Sequence, residues 1–117
     1  MPFIIARVNV PVSREQEQEI KSYLGRAIEL VPGKSEQYLL LGFKENYHFW
    51  LRGDDSQPAA YIEASIFGNE SHCGYESFTR EITKVFHEVL SIPPENIYLK
   101  YDDIRVWGVG GFIIERS

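Results

Sequence analysis

Residues 2–33 read PFIIARVNVPVSREQEQEIKSYLGRAIELVPG, and two periodicities in that stretch decide the fold. From Phe3 to Val10 the even positions Ile4, Ala6, Val8 and Val10 are apolar, while the odd ones run Phe3, Ile5, Arg7 and Asn9. That two-residue alternation is the pattern of a strand with one covered face. Ser13 then opens a capping box with Gln16, and Ile20, Leu24, Ala27, Ile28 and Val31 follow on one face of a helix. Pro32 and Gly33 stop it.

Moving outward, Tyr38 to Phe43 is a near-continuous apolar run suited to a strand buried on both faces. A turn at Lys44 to Asn46 leads to a short aromatic strand over Tyr47 to Leu51, and Gly53 to Pro58 reads as a loop. The same order then returns. Tyr61 to Phe67 alternates, with Ile62, Ala64 and Ile66 on the apolar face. After a loop at 68–74 comes a helix carrying Phe78, Ile82, Val85, Phe86, Val89 and Leu90. Pro93 and Pro94 end it, Asn96 to Tyr101 makes a strand, Asp102 and Asp103 turn, and Arg105 to Trp107 makes a last short strand before a glycine-loosened tail.

The chain therefore reads as one α+β (α/β) domain over 1–117, built from two pseudo-repeats of strand, helix and strand at about 2–53 and 59–111. Right-handed crossovers in each half give a four-stranded mixed sheet with two helices on one face, plus short edge strands. The other face would show Phe3, Ile5, Tyr61 and Phe67 beside Arg7, Glu63 and Ser65. An apolar face of that size calls for cover, and a second copy of the chain is the simplest one.

Composition narrows the function. Hydrophobic residues at 44% and charged residues at 25% are ordinary for a folded protein in water. No apolar stretch is long enough to span a membrane, and the N-terminus lacks the features of a signal peptide, so a cytoplasmic protein is expected, released, if at all, without one. The net charge of -5 without a Lys/Arg cluster argues against nucleic acid. Cys73 is the sole cysteine, which excludes an internal disulfide and a CxxC pair, and His48, His72 and His87 lack metal-ligand spacing. Neither metal nor cofactor is expected.

Four segments, in order, carry a resemblance: PFIIARVNVP after Met1, PGKSEQYLLLGF, the strand ending SIFGN, and IPPENIYLKYDD before a glycine-bearing tail. Together they resemble the macrophage migration inhibitory factor family of the tautomerase superfamily, over nearly the whole chain. The resemblance implies a homotrimer whose sheets form a barrel, with active sites at subunit boundaries. It implies a phenylpyruvate-type tautomerase with Pro2 as catalytic base.

The chemistry fits that role. Methionine before proline is commonly removed, and this would turn the Pro2 nitrogen from an amide into a secondary amine. An α-amine titrates near neutrality, and an apolar pocket or a neighbouring cation lowers its pKa further toward a working base. By resemblance Lys34 would hold the carboxylate of a small α-keto acid such as an aryl pyruvate. The backbone N–H of Phe67 would donate to the substrate, and Tyr98 would enter from the adjacent subunit. Lys100, where the family has asparagine, shares a strand face with Tyr98. Phe3, Tyr38, Trp107 and Val109 would form the pocket wall. The family's vertebrate CxxC is Ala59-Ala60-Tyr61-Ile62 here, so thiol oxidoreductase activity is not carried over, and the tail GGFIIERS gives no support for cytokine-type receptor binding. Two other readings share the pattern: a trimer that binds or signals with little turnover, and a ferredoxin-like metabolite-binding domain.

Overall fold

The computed structural model describes residues 1–116; Ser117, the end of the expected unit, lies outside them. Strand β1 (Pro2–Val8) is followed by helix α1 (Arg14–Ala27), β2 (Leu40–Lys44), β3 (Ala60–Phe67), α2 (Tyr75–Leu90), β4 (Ile97–Ile104), β5 (Val106–Val109) and β6 (Phe112–Glu115). The main sheet runs β2-β1-β3-β4, with β1 and β2 parallel, β3 and β4 parallel, and β1 antiparallel to β3. The two strand-helix-strand halves meet along that central antiparallel seam.

The alternation read in the sequence is what the chain buries. Ile4, Ala6 and Val8 of β1 and Ile62, Ala64 and Ile66 of β3 are all inaccessible to solvent. They pack beneath the helices in one cluster with Ile20 and Leu24 of α1 and Phe78, Ile82 and Phe86 of α2. Each such side chain contributes about 1.5–3 kcal/mol through burial. The capping box forms as expected: Gln16 N donates to the Ser13 hydroxyl and Ser13 N to the Gln16 side-chain oxygen. The start of α2 is set differently, by Gly74 at φ 85°, where a Cβ would collide with the backbone carbonyl of Leu30. Only glycine fits a positive φ and so close an approach at once.

Four local expectations need correction. The apolar run at 38–43 is not buried on both faces: Tyr38 lies in a 3₁₀ turn, and β2 is an edge strand, which leaves Leu40 exposed. Tyr47–Leu51 is not a strand. Its first residue donates to Val8 O at 2.9 Å, and Leu51 then bridges only to Asp54, closing a tight turn. Asp102 and Asp103 do not turn but extend β4, in register with Ser65 and Ile66. The glycine-bearing tail is an ordered hairpin of β5 and β6, in which Gly110 and Gly111, at φ 60° and 86°, supply the positive angles of a two-residue turn.

The sheet face away from the helices carries charge at its centre. Glu63 accepts from Arg7 and pairs with Lys100 at 3.2 Å, and Lys100 also meets Asp102 at 3.4 Å. The Arg7 and Lys100 hydrogen bonds hold the Glu63 carboxyl below its ordinary range. Among the described residues no helix is long and apolar enough to cross a membrane, and no group of three His, Cys, Asp or Glu side chains could hold a metal.

Candidate active site

The end of the sheet where β1 begins collects most of the residues singled out from the sequence. Pro2 is buried, paired in register with Ile66, and Phe67 closes β3 beside it. The backbone N–H of Phe67 donates to the Met1 carbonyl at 3.2 Å. Lys34 stands on the loop that leaves α1, its own N–H bound to Val31 O at 3.1 Å, and its ammonium donates to the Phe67 carbonyl at 2.6 Å. One short segment of β3 thus anchors both the start of the chain and the lysine.

The electrostatics of this corner are distinctive. The α-amine at Met1 is lowered from 8.0 to about 6, first by burial, which disfavours its charged form, and then by the charge of Lys34 alongside and its hydrogen bond. An amine placed here is largely neutral at pH 7. With Met1 in place the Pro2 nitrogen is an amide and has no lone pair to offer a proton.

Two cavities open from this corner. One, of about 540 Å³, is lined by Met1, Pro2, Tyr38, Leu40, Trp107 and Val109 among others, and is mainly apolar. Trp107 and Val109 reach it from β5, which the hairpin with β6 holds in place. The other, of about 400 Å³, is lined by Lys34, Phe67, Gly68, Ile114, Glu115 and Arg116. Its polar character comes from charged side chains.

The remaining candidates lie elsewhere in the chain. Phe3 sits on the open sheet face, between Leu40 and Ser65 in register, and lines neither cavity. Tyr98 stands opposite Tyr61, which stands opposite Arg7, five residues along β1 from Pro2. That is roughly 17 Å at the usual rise per strand residue. Tyr98 instead borders a separate apolar cavity of about 180 Å³ with Phe49, Trp50, Leu51 and Asn96. Lys100 is engaged by Glu63 and Asp102, which raise its pKa, the Glu63 hydrogen bond foremost. Neither residue reaches Pro2 within one chain.

Sequence reasoning passed over Arg116. Its guanidinium donates to the Gly68 carbonyl at 2.6 Å, next to the Phe67 carbonyl that Lys34 holds. The signal was present: two glycines between VWGV and FIIE mark a hairpin, and a hairpin carries its last residues back to the start of the sheet.

Comparison with known proteins gives a consistent result. Residues 1–113 match the family model described as macrophage migration inhibitory factor. No curated protein sequence matches. Among solved structures, the chain is similar to Leishmania major MIF2, with a TM-score of 0.89 at 23% identity over 97% of each chain. It is also similar to the macrophage migration inhibitory factor homologue from Prochlorococcus marinus, with a TM-score of 0.83 at 21% identity, covering 95% of this chain and 97% of that one. A third, Pt0534 inactivated by 2-oxo-3-pentynoate, gives a TM-score of 0.81 at 12% identity over 93% and 92%. These likenesses decide the fold against the ferredoxin-like alternative.

Proposed function

Because the chain belongs to the macrophage migration inhibitory factor family, we propose that it is a cofactor-free keto-enol tautomerase of aryl pyruvates, with the amine of Pro2 as general base once Met1 has been removed. The observation that carries this reading is the corner itself, where burial and Lys34 lower the Met1 α-amine from 8.0 to about 6; removal of Met1 would put the Pro2 amine under the same two influences. A base in that range is mostly unprotonated at neutral pH and still basic enough to accept a proton.

In this reading each step falls to a residue of the corner. The amine takes a proton from the carbon beside the keto group, the C–H electron pair passes into the enolate, and the ammonium returns its proton to the enolate oxygen. Lys34 binds the substrate carboxylate, and the aryl group lies in the apolar cavity beside Tyr38, Trp107 and Val109. Loss of Met1 also releases the Phe67 N–H from the Met1 carbonyl and leaves it free to donate to a substrate oxygen. The Met1 carbonyl thus marks where that oxygen would sit.

The unit that works in this proposal is a homotrimer, in which Tyr98 and Lys100 of one copy complete the site of the next. Support comes from the distance between Tyr98 and Pro2 within one chain, and from Trp50, 67% exposed beside the Tyr98 cavity, which is apolar surface that wants cover. The α-keto acid class is further supported by the fold neighbour Pt0534, whose structure is of a protein inactivated by 2-oxo-3-pentynoate.

Intact mass and phenylpyruvate enolisation test the reading together. The mature protein should lack Met1, and Pro2→Ala should lose enolisation, while 3-bromopyruvate should label the Pro2 nitrogen. Equal turnover with and without Pro2 ends the proposal. Retention of Met1 in material that does not turn over substrate leaves the binding role instead.

A further inference from the structure

Strand β4 ends at Ile104 and β5 begins at Val106, so Arg105 is a single-residue joint between the main sheet and the β5–β6 hairpin. The hairpin is a separate two-stranded sheet, and a sheet of that size is marginally stable by itself in water. Its setting comes from whatever grips it at the root. That setting matters, because Trp107 and Val109 line the apolar cavity beside Pro2.

The grip comes from the loop that leaves β3. Its Glu70 accepts from Arg105 Nε at 2.9 Å, its Gly68 carbonyl accepts from the Arg116 guanidinium at 2.6 Å, and its His72 meets Asp103 at 2.6 Å. The loop is itself held from within by the buried Asn69, whose side-chain amide donates to Cys73 O at 2.9 Å. Asp103 and Ile104 are already fixed by their register against Ile66 and Phe67. Arg105 is paired in neither sheet, and the bond from Arg116 N to its carbonyl, 2.9 Å long, travels with the hairpin. The side-chain bond to Glu70 is therefore what ties the joint to the body of the molecule. The same loop starts at Phe67, whose carbonyl holds Lys34. It spans both parts of the corner, the polar end directly and the aryl wall through the joint.

We propose that Glu70 and Arg105 are positioning residues for the aryl end of the site: their ion pair fixes the hairpin at the setting that puts Trp107 and Val109 beside Pro2, and so favours substrates that carry a ring. The proposal rests on the tautomerase reading, and in it neither residue touches substrate. The pair is exposed to solvent and Arg116 supplies a second tie, so its effect is modest. It falls on binding of the ring, because the base and Lys34 lie on the other side of the joint.

The test compares wild type with Glu70→Ala, Arg105→Ala, the double alanine variant and the charge exchange Glu70→Arg with Arg105→Glu, in two assays. In the first, phenylpyruvate enolisation is resolved into KM and kcat. Either single variant should raise KM about 2- to 5-fold, the range of an exposed ion pair, and leave kcat in place. The double alanine variant should be no worse than either single one, and the charge exchange should recover part of the loss. In the second, 3-phenylpropanoate and propanoate, which differ by the ring, are titrated against the protein by calorimetry. Wild type should favour the ringed acid, and each single variant should narrow that preference by the same factor. Losses that add in the double variant, a fall in kcat at constant KM, or equal weakening of both acids overturns the proposal. Phenylpyruvate turnover with a KM indifferent to the pair removes this inference alone. No turnover, with a preference for the ringed acid that depends on the pair, removes the tautomerase reading and leaves the setting of the hairpin standing.

Discussion

Replacing Lys34 with methionine keeps the length of the side chain and deletes its charge, and two separate effects should follow in the processed protein. The first is on binding. A hydrogen bond between charged groups contributes about 1.5–3 kcal/mol, so KM for phenylpyruvate should rise roughly 10- to 150-fold. The second is on the base. Burial is the first cause and Lys34 the second of the fall from 8.0 to about 6 at the Met1 α-amine, and the Pro2 amine of the processed protein is expected to be lowered by the same two causes. Burial survives the substitution, so the apparent pKa should climb only part of the way back toward 8. The sign follows from the chemistry: the free amine is the active form, kcat/KM is flat above the pKa and falls below it, and a higher pKa moves that fall to higher pH. The variant should therefore be worse at pH 6 than at pH 8 by more than the change in binding accounts for. The Phe67 carbonyl also loses its donor, at a cost of about 1 kcal/mol, which a thermal melt should register without unfolding the protein. Phenylpyruvate enolisation followed across the neutral range gives both numbers. An acid limb and a KM that both match wild type would refute the assignment of Lys34 and the electrostatic argument with it.

Other outcomes can be checked independently of activity. Gly74→Ala should destabilise the fold by more than the 1–2 kcal/mol that a left-handed backbone costs an ordinary residue, because the new methyl group meets the Leu30 carbonyl; denaturant titration reads this, and a loss under 1 kcal/mol would contradict the packing described. Glu63 is held below its ordinary value of 4.5 by Arg7 and Lys100, so its contribution is present above that value and is lost as pH falls through the depressed one. Wild type should lead Glu63→Gln in stability at neutral pH, and the gap should close on acidification; a gap that does not depend on pH speaks against the ion pairs. Tyr75 is raised far above 10.0, by burial first and then by its hydrogen bond to Asp103, so folded protein should keep that phenol protonated while exposed tyrosines ionise. An alkaline titration followed by ultraviolet absorbance should show a late component, and Tyr75→Phe should shrink it, leaving the part due to Tyr101, which burial also raises.

Strands flanked by a regular apolar alternation were readable, because burial on one face and solvent on the other leaves a mark at every second residue. The β1 and β3 segments match their pattern position by position, and the helix stripes do the same. Composition misled where an apolar run had a different cause. Leu40 and Leu41 lie on an edge strand, and the aromatic stretch at 47–51 packs locally, with Tyr47 against Phe49 at 4.9 Å between ring centroids, instead of pairing along a sheet. The corner around Pro2 was legible through motif likeness, which put Lys34, Phe67, Tyr38, Trp107 and Val109 near one another. Arg116 was not, because its role depends on a hairpin that brings the last residues back beside Gly68, a contact with no local periodicity. For Tyr98 and Lys100, strand alternation tells which face they share; it carries no information about which copy of the chain that face meets.

The grip of β3 on Met1 also bears on timing. Once β1 has docked, the first peptide bond is tied down at its carbonyl by Phe67 and lies partly covered, a poor presentation for an aminopeptidase that needs a loose, extended end. If Met1 is removed as proposed, trimming would have to compete with the docking of β1. A molecule that folds first would keep its methionine and stay silent, so an overproducing cell could accumulate a mixture of two species alike in shape and unlike in chemistry.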